Sequence, residues 1–164
     1  MNYRIAELPA VHLAGHMLRT SVEENEGEKS IPAFWHDLTM SGQLKSLCSQ
    51  AQPQVFPEGT TFGVSAPDPE NEKGFLYYVA VESGPQSSTD LAVISTAPGL
   101  WAVFSAVGEP SEAIPAVFKY VMAEFFANSD FAPRSEEPEL EVYADAPMDE
   151  NYITEVWFPV QRKA

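Results

Sequence analysis

Glu155 stands in the run Tyr152-Ile-Thr-Glu-Val-Trp-Phe-Pro-Val160, whose other members are mostly apolar, β-branched or aromatic and read as a strand. With period-two alternation, Glu155 and Trp157 share one face with Ile153, while Val156, Phe158 and Val160 take the other. A glutamate so placed must find a partner, stay protonated or line a cavity, because an unpaired buried charge is costly. Pairing with an arginine, or a position at the strand's solvated end, makes Glu155 ordinary; a pocket for cations makes it functional. A lipophilic cation needs apolar walls, aromatic faces worth about 0.5 to 2 kcal/mol each in cation–π contact, and a carboxylate in low dielectric. Candidate walls are Trp157, Tyr78, Trp101, Phe104, Tyr143 and Trp35, although aromatics of this kind also serve simply as core.

The other reactive side chains point to less. His12, His16 and His36 lack metal-ligand spacing with cysteines or carboxylates, and His12 and His16 on one strand would stand roughly 13 Å apart, so no metal and no cofactor are expected. Cys48 lies in a polar stretch with nothing to mark an activated thiolate. Glu82 follows Val79-Ala-Val81 at a strand end and reads as solvated, with a place in the cleft as the alternative. The acidic run Glu23-Glu-Asn-Glu-Gly-Glu28 reads as a solvated loop that could also act as a lid or steer cations.

These residues sit in a chain of 164, with 45% hydrophobic and 12% aromatic content, enough for one domain with a substantial core. Nine basic against twenty-four acidic residues give a net charge of −15, which disfavours phosphate backbones and attracts cations. The single cysteine excludes an intrachain disulfide. The N-terminus lacks a basic region followed by an apolar one, and no apolar run reaches the roughly 18 to 20 residues that span a bilayer. A cytoplasmic protein without membrane or nucleic-acid contacts is therefore expected.

The elements that must position the site follow in order. Tyr3 to Leu8, the Pro9-Ala10 corner and Val11 to Thr20 read as a bent strand. Ser30-Ile31-Pro32 reads as a cap and first turn of a helix with Ile31, Phe34, Trp35 and Leu38 on one face; Ser41-Gly42 interrupts the pattern, with Leu44 and Leu47 as its candidate continuation. Thr60 to Ala66 and Phe75 to Glu82 form a hairpin around the turn-rich 67–74. After the polar stretch 83–90 the order recurs: a bent strand over Leu91 to Ser95 and Leu100 to Val107, a helix over Ser111 to Asn128 with Val117, Phe118, Val121, Met122 and Phe125 on one face, and a hairpin of Leu140 to Tyr143 with Ile153 to Val160. Pro9 and Pro98, Ile31-Pro-Ala-Phe-Trp35 and Ile114-Pro-Ala-Val-Phe118, Ala66-Pro67 and Ala146-Pro147, and Tyr78 and Trp157 are separated by 89, 83, 80 and 79 positions. The nearly constant offset predicts two β-α-β-β units, 1–82 and 91–164, burying their surfaces jointly about a pseudo-twofold axis.

The duplicated order, the segments Leu13-Ala-Gly-His-Met-Leu-Arg-Thr20, Ile31-Pro-Ala-Phe-Trp35, Tyr77-Tyr-Val-Ala-Val-Glu82 and Pro98-Gly-Leu-Trp-Ala-Val-Phe104, and the ending Glu155-Val-Trp-Phe-Pro-Val160 resemble the GyrI-like small-molecule-binding family, the effector-binding domain of AraC-type and multidrug-responsive regulators. The resemblance covers essentially all of 1–164. It implies an α+β fold with an antiparallel sheet, two main helices and a central ligand cleft near the pseudo-twofold axis. In members that bind cationic drugs a last-strand glutamate lies at the floor of an aromatic pocket, and Glu155 is the residue that matches it, with Trp157 beside it. No helix-turn-helix region flanks the domain, so direct DNA reading is not expected. Three functions are compatible with the resemblance. The foremost is stand-alone binding of cationic amphipathic aromatic compounds. The others are hydrolysis of reactive cyclopropane-containing natural products by Glu155 with Tyr78, and a gyrase-inhibitor-like protein contact, the partner being a transcription regulator or gyrase.

Overall fold

In the computed structural model, residues 1–84 and 90–164 are described; the polar stretch between the repeats lies partly outside them. Among the described residues, nine strands form one antiparallel sheet. They are β1 (Tyr3–Leu8), β2 (Val11–Ser21), β3 (Thr61–Pro67), β4 (Gly74–Glu82), β5 (Ala92–Thr96), β6 (Gly99–Val107), β7 (Phe131–Pro133), β8 (Glu139–Tyr143) and β9 (Ile153–Arg162). The strand order is β1-β6-β9-β8-β3-β4-β2-β5, with β7 on β9. The central pair is β8 and β3, and each side of it repeats the same sequence of neighbours: β9 then β6, and β4 then β2. Registers agree with this correspondence, since Val64 pairs with Tyr78 as Leu140 pairs with Trp157, and Val64 pairs with Leu140 across the centre.

Two sequence expectations change here. The proline corners do not make bent strands: after Pro9-Ala10 the chain leaves β1 on β6 of the second half, and after β5 it leaves that strand on β2 of the first half, so each unit lends its first strand to the other. The Ala66-Pro67 and Ala146-Pro147 match is not a structural one. In the register that equates Val64 with Leu140, Pro67 corresponds to Tyr143, and Pro147 lies in the following turn.

Helix α1 (Glu26–Met40) starts a turn before the expected cap, after Glu24 and Asn25 at φ 51° and 56°. Ser30 bonds Thr20 of β2 through its hydroxyl instead of capping. Pro32 is therefore inside the helix, where its missing N–H deprives one carbonyl of its partner. The acidic stretch 23–28 is a 3-10 turn (Glu23–Asn25) followed by the first turn of α1 rather than a loop. Helix α2 (Gln43–Ser49) follows Gly42, whose φ of 81° ends the first helix. Helix α3 (Pro110–Tyr120) continues through a π turn (Val121–Phe125) to Asn128. Met122 is exposed there, while Val117, Val121 and Phe125 are buried.

All three helices lie on one face of the sheet. Ile31, Phe34, Trp35, Leu38 and Leu47 pack with Tyr77, Val79 and Val81; Ile114, Val117, Val121 and Phe125 pack with Phe104, Val156 and Phe158. The opposite face is filled by Phe62, Val64, Leu140, Val142, Trp101 and Trp157, with Val55 and Phe56 of the α2–β3 connection packed over them.

Candidate functional site

Alternation on β8 sends Leu140 and Val142 to the buried opposite face and Glu139, Glu141 and Tyr143 to the helix face. Their neighbours across the β3 ladder are Ser65, Gly63 and Thr61 in turn. Glu139, Glu141, Ser65 and Thr61 keep intermediate exposure, whereas the flanking Tyr77, Val79, Val156 and Phe158 are buried. With α1 and α2 over one half and α3 over the other, the two central strands form the polar floor of a water-accessible trough.

At its middle stands Glu141. Tyr77 donates its hydroxyl proton to Glu141 Oε1 at 2.9 Å, Tyr143 donates to the same oxygen at 2.6 Å, and Trp35 of α1 donates its indole N–H to the Tyr77 oxygen at 2.9 Å. The rings of Trp35 and Tyr143 meet edge to face at 5.2 Å. Gly63 makes this possible. A Cβ there would collide with Tyr77 Oη and Glu141 Oε1. Burial pushes the Glu141 carboxyl up from the usual range, and the two tyrosine hydroxyls, which favour the charged form, pull it partly back. Glu141 is thus deeply surrounded and yet reached by water, as a charge at the floor of a narrow trough would be. Tyr77 and Tyr143 are themselves raised, first by burial and then by the Glu141 charge. Glu139 is pushed up to about 7 by burial and by Glu141. Thr154, which pairs with Tyr143 across the β8–β9 ladder, has a buried hydroxyl with no partner among the described residues.

The sheet separates the residues expected at one pocket. Trp35 and Tyr143 lie in the trough. Glu155, Trp157, Tyr78 and Trp101 are on the opposite face, and Phe104 is core under α3 against Phe125 and Phe158. Glu155 is not a buried floor carboxylate: β1 brings Arg4 to it at 2.7 Å, with side chains 56% and 30% exposed, and Trp157 donates its indole N–H at 3.2 Å. The Arg4 guanidinium also lies 5.5 Å over the Trp157 ring. Tyr78 does not join Glu155 as a reacting pair, since β3 and β8 intervene between β4 and β9, a span of roughly 14 Å at ordinary strand spacing. Trp101 is fully buried beneath the Arg134 guanidinium, and its indole N–H has no partner among the described residues.

Glu82 also departs from expectation. It is 3% exposed, and its carboxylate accepts the backbone N–H groups of Gln54, Val55 and Phe56. It holds the segment that places Phe56 5.2 Å from the Trp157 ring. Glu82 is structural, and it lies outside the trough.

No group of His, Cys, Asp and Glu among the described residues could hold a metal ion. No helix among the described residues is long and apolar enough to cross a membrane. Sequence reasoning overlooked Glu141 and Tyr77. Alternation in Glu139-Leu-Glu-Val-Tyr143 puts Glu141 and Tyr143 on one face, but nothing within the strand itself signals that this face is covered by aromatics from other elements.

Among curated protein sequences, no match is found. Similar solved structures include SAV2435 bound to tetraphenylphosphonium, at 23% identity and TM-score 0.83, covering 98% of this chain and 94% of that one. A crystal structure described as a putative bacterial transcription regulation protein of Staphylococcus aureus MU50 is 23% identical with TM-score 0.78, covering 98% and 99%. The EcmrR C-terminal domain is 12% identical with TM-score 0.63, covering 99% and 98%. The model of the GyrI-like small molecule binding domain matches residues 1–161, and with a nine-stranded antiparallel sheet carrying its helices on one face, this chain belongs to the GyrI-like small-molecule-binding family.

Proposed function

We propose that the protein binds cationic aromatic compounds in the trough over β3 and β8, with Glu141 as the group that recognises charge and Trp35, Tyr77 and Tyr143 as its aromatic surroundings. One observation carries this reading: a carboxylate deep among aromatics, on the water-accessible floor between the helices, is held by two tyrosine hydroxyls and has no cation beside it among the described residues. A positive charge reaching Glu141 would gain a strong interaction in low dielectric and aromatic faces beside it. Trp35 bonds Tyr77 and touches Tyr143, so a bulky ligand enters by displacing the Trp35 indole, at the cost of one hydrogen bond and one ring contact. The tetraphenylphosphonium carried by SAV2435 belongs to this class of ligand.

The test is titration with tetraphenylphosphonium and with neutral triphenylphosphine oxide, read by tryptophan fluorescence. The cation should bind the more tightly; Glu141→Gln should remove most of the difference, about tenfold in affinity or more, while Glu155→Gln should leave it. Equal affinity for the two compounds, or loss of the difference in Glu155→Gln alone, would overturn the assignment.

A further inference from the structure

We propose that the trough selects dicationic ligands, with Glu139 as a second charge-recognising carboxylate one pleat away from Glu141. This rests on the reading of Glu141 given above and extends it to the ligand's charge number. Alternate residues of a strand project to the same side with Cα atoms about 7 Å apart, so both carboxylates stand on the trough floor. The residues facing them across the ladder are Ser65 and Gly63, small enough to leave space over the central strands, and Ser65, Glu139 and Glu141 all retain exposure between buried flanks. The two acids are held differently. Glu141 has two tyrosine donors; Glu139 has neither a hydrogen-bond donor nor a basic partner among the described residues, and the influences on its ionisation are burial and Glu141. The unpartnered Thr154 hydroxyl beside Tyr143 leaves a further polar group unsatisfied on this face.

Two carboxylates this close, one of them without a basic partner among the described residues, repel each other when both are ionised. A ligand with one positive centre relieves only one. A rigid aromatic ligand with two positive centres, spaced like two alternate strand residues, pairs with both and removes the repulsion as it binds. Tyr77 and Trp35 on one side and Tyr143 at the end supply the aromatic surfaces for the core between its charges.

The experiment compares benzyl viologen, two pyridinium rings joined directly, with N-benzyl-4-(4-benzylphenyl)pyridinium, the same skeleton with carbon in place of one charged nitrogen, by calorimetry at about pH 8, above the Glu139 transition. The wild type should prefer the dication by about tenfold or more. Glu139→Gln should bring the two probes within about twofold of each other by weakening only the dication, and Glu141→Gln should weaken both. Equal wild-type affinities, or a preference that survives in Glu139→Gln, would overturn the dication assignment while leaving Glu141 as a monocation site. Failure of both probes to bind the wild type would overturn both readings. The wild-type comparison decides the question even if a variant fails to fold.

Discussion

The Tyr143 hydroxyl lies 2.6 Å from Glu141 Oε1, a short charge-assisted bond between residues two apart on one strand. It ties the stability of the sheet's centre to the ionisation of one carboxylate. Tyr143→Phe removes a donor that favours the charged form, with an expected loss of about 1.5 to 3 kcal/mol of unfolding free energy at a pH where Glu141 is ionised. The loss should shrink in acid, where Glu141 is protonated and that bond no longer favours the folded state. Urea unfolding of wild type and variant at both pH values checks this; a loss independent of pH would show that the bond does not depend on the charge.

Gly63→Ala is expected to be far more damaging than a change of one methyl suggests. The added Cβ would meet Tyr77 Oη and Glu141 Oε1, and the β3 backbone, held between β4 and β8, has little freedom to retreat. Overpacking of this kind costs about 1 to 3 kcal/mol, and the Tyr77–Glu141 bond goes with it. Thermal unfolding measures the cost, and a variant as stable as the wild type would contradict the tight packing.

Glu139 gives stability a pH dependence of definite sign. Its carboxyl is raised from 4.5 to about 7 in the folded protein, so between those values the folded state binds more protons than the unfolded one. Its contribution is fully present below about 4.5 and is lost as pH rises through about 7. Denaturation midpoints across this window should fall more steeply with pH in the wild type than in Glu139→Gln. Parallel profiles would mean that Glu139 titrates normally.

Glu82 anchors the α2–β3 connection through three backbone N–H groups. Glu82→Ala leaves those donors without their acceptor and should cost on the order of 3 kcal/mol. Because that segment carries Phe56 against Trp157, tryptophan emission should shift in the native baseline as well. An unchanged native spectrum with lowered stability would separate the anchor from the aromatic contact.

Local pattern determined much of this protein. Period-two alternation placed Glu155 with Trp157, and the helical stripes of Ile31, Phe34, Trp35 and Leu38 and of Val117, Val121 and Phe125 named the residues that reach the core. The near-constant repeat offset paired Tyr78 with Trp157, which the β3–β4 and β8–β9 registers equate. These features are properties of neighbouring residues, and neighbouring residues carry them. The site depended on contacts between distant segments. Pairing of β3 with β8 sets Gly63 against Glu141, and α1 brings Trp35 to Tyr77. The exchange of β1 onto the second half delivers Arg4 to Glu155 and turns the expected pocket acid into a partly exposed ion pair. Which glutamate lies deep was decided by the strand and helix that came to stand beside it, because desolvation depends on the whole surrounding volume and alternation specifies only a direction.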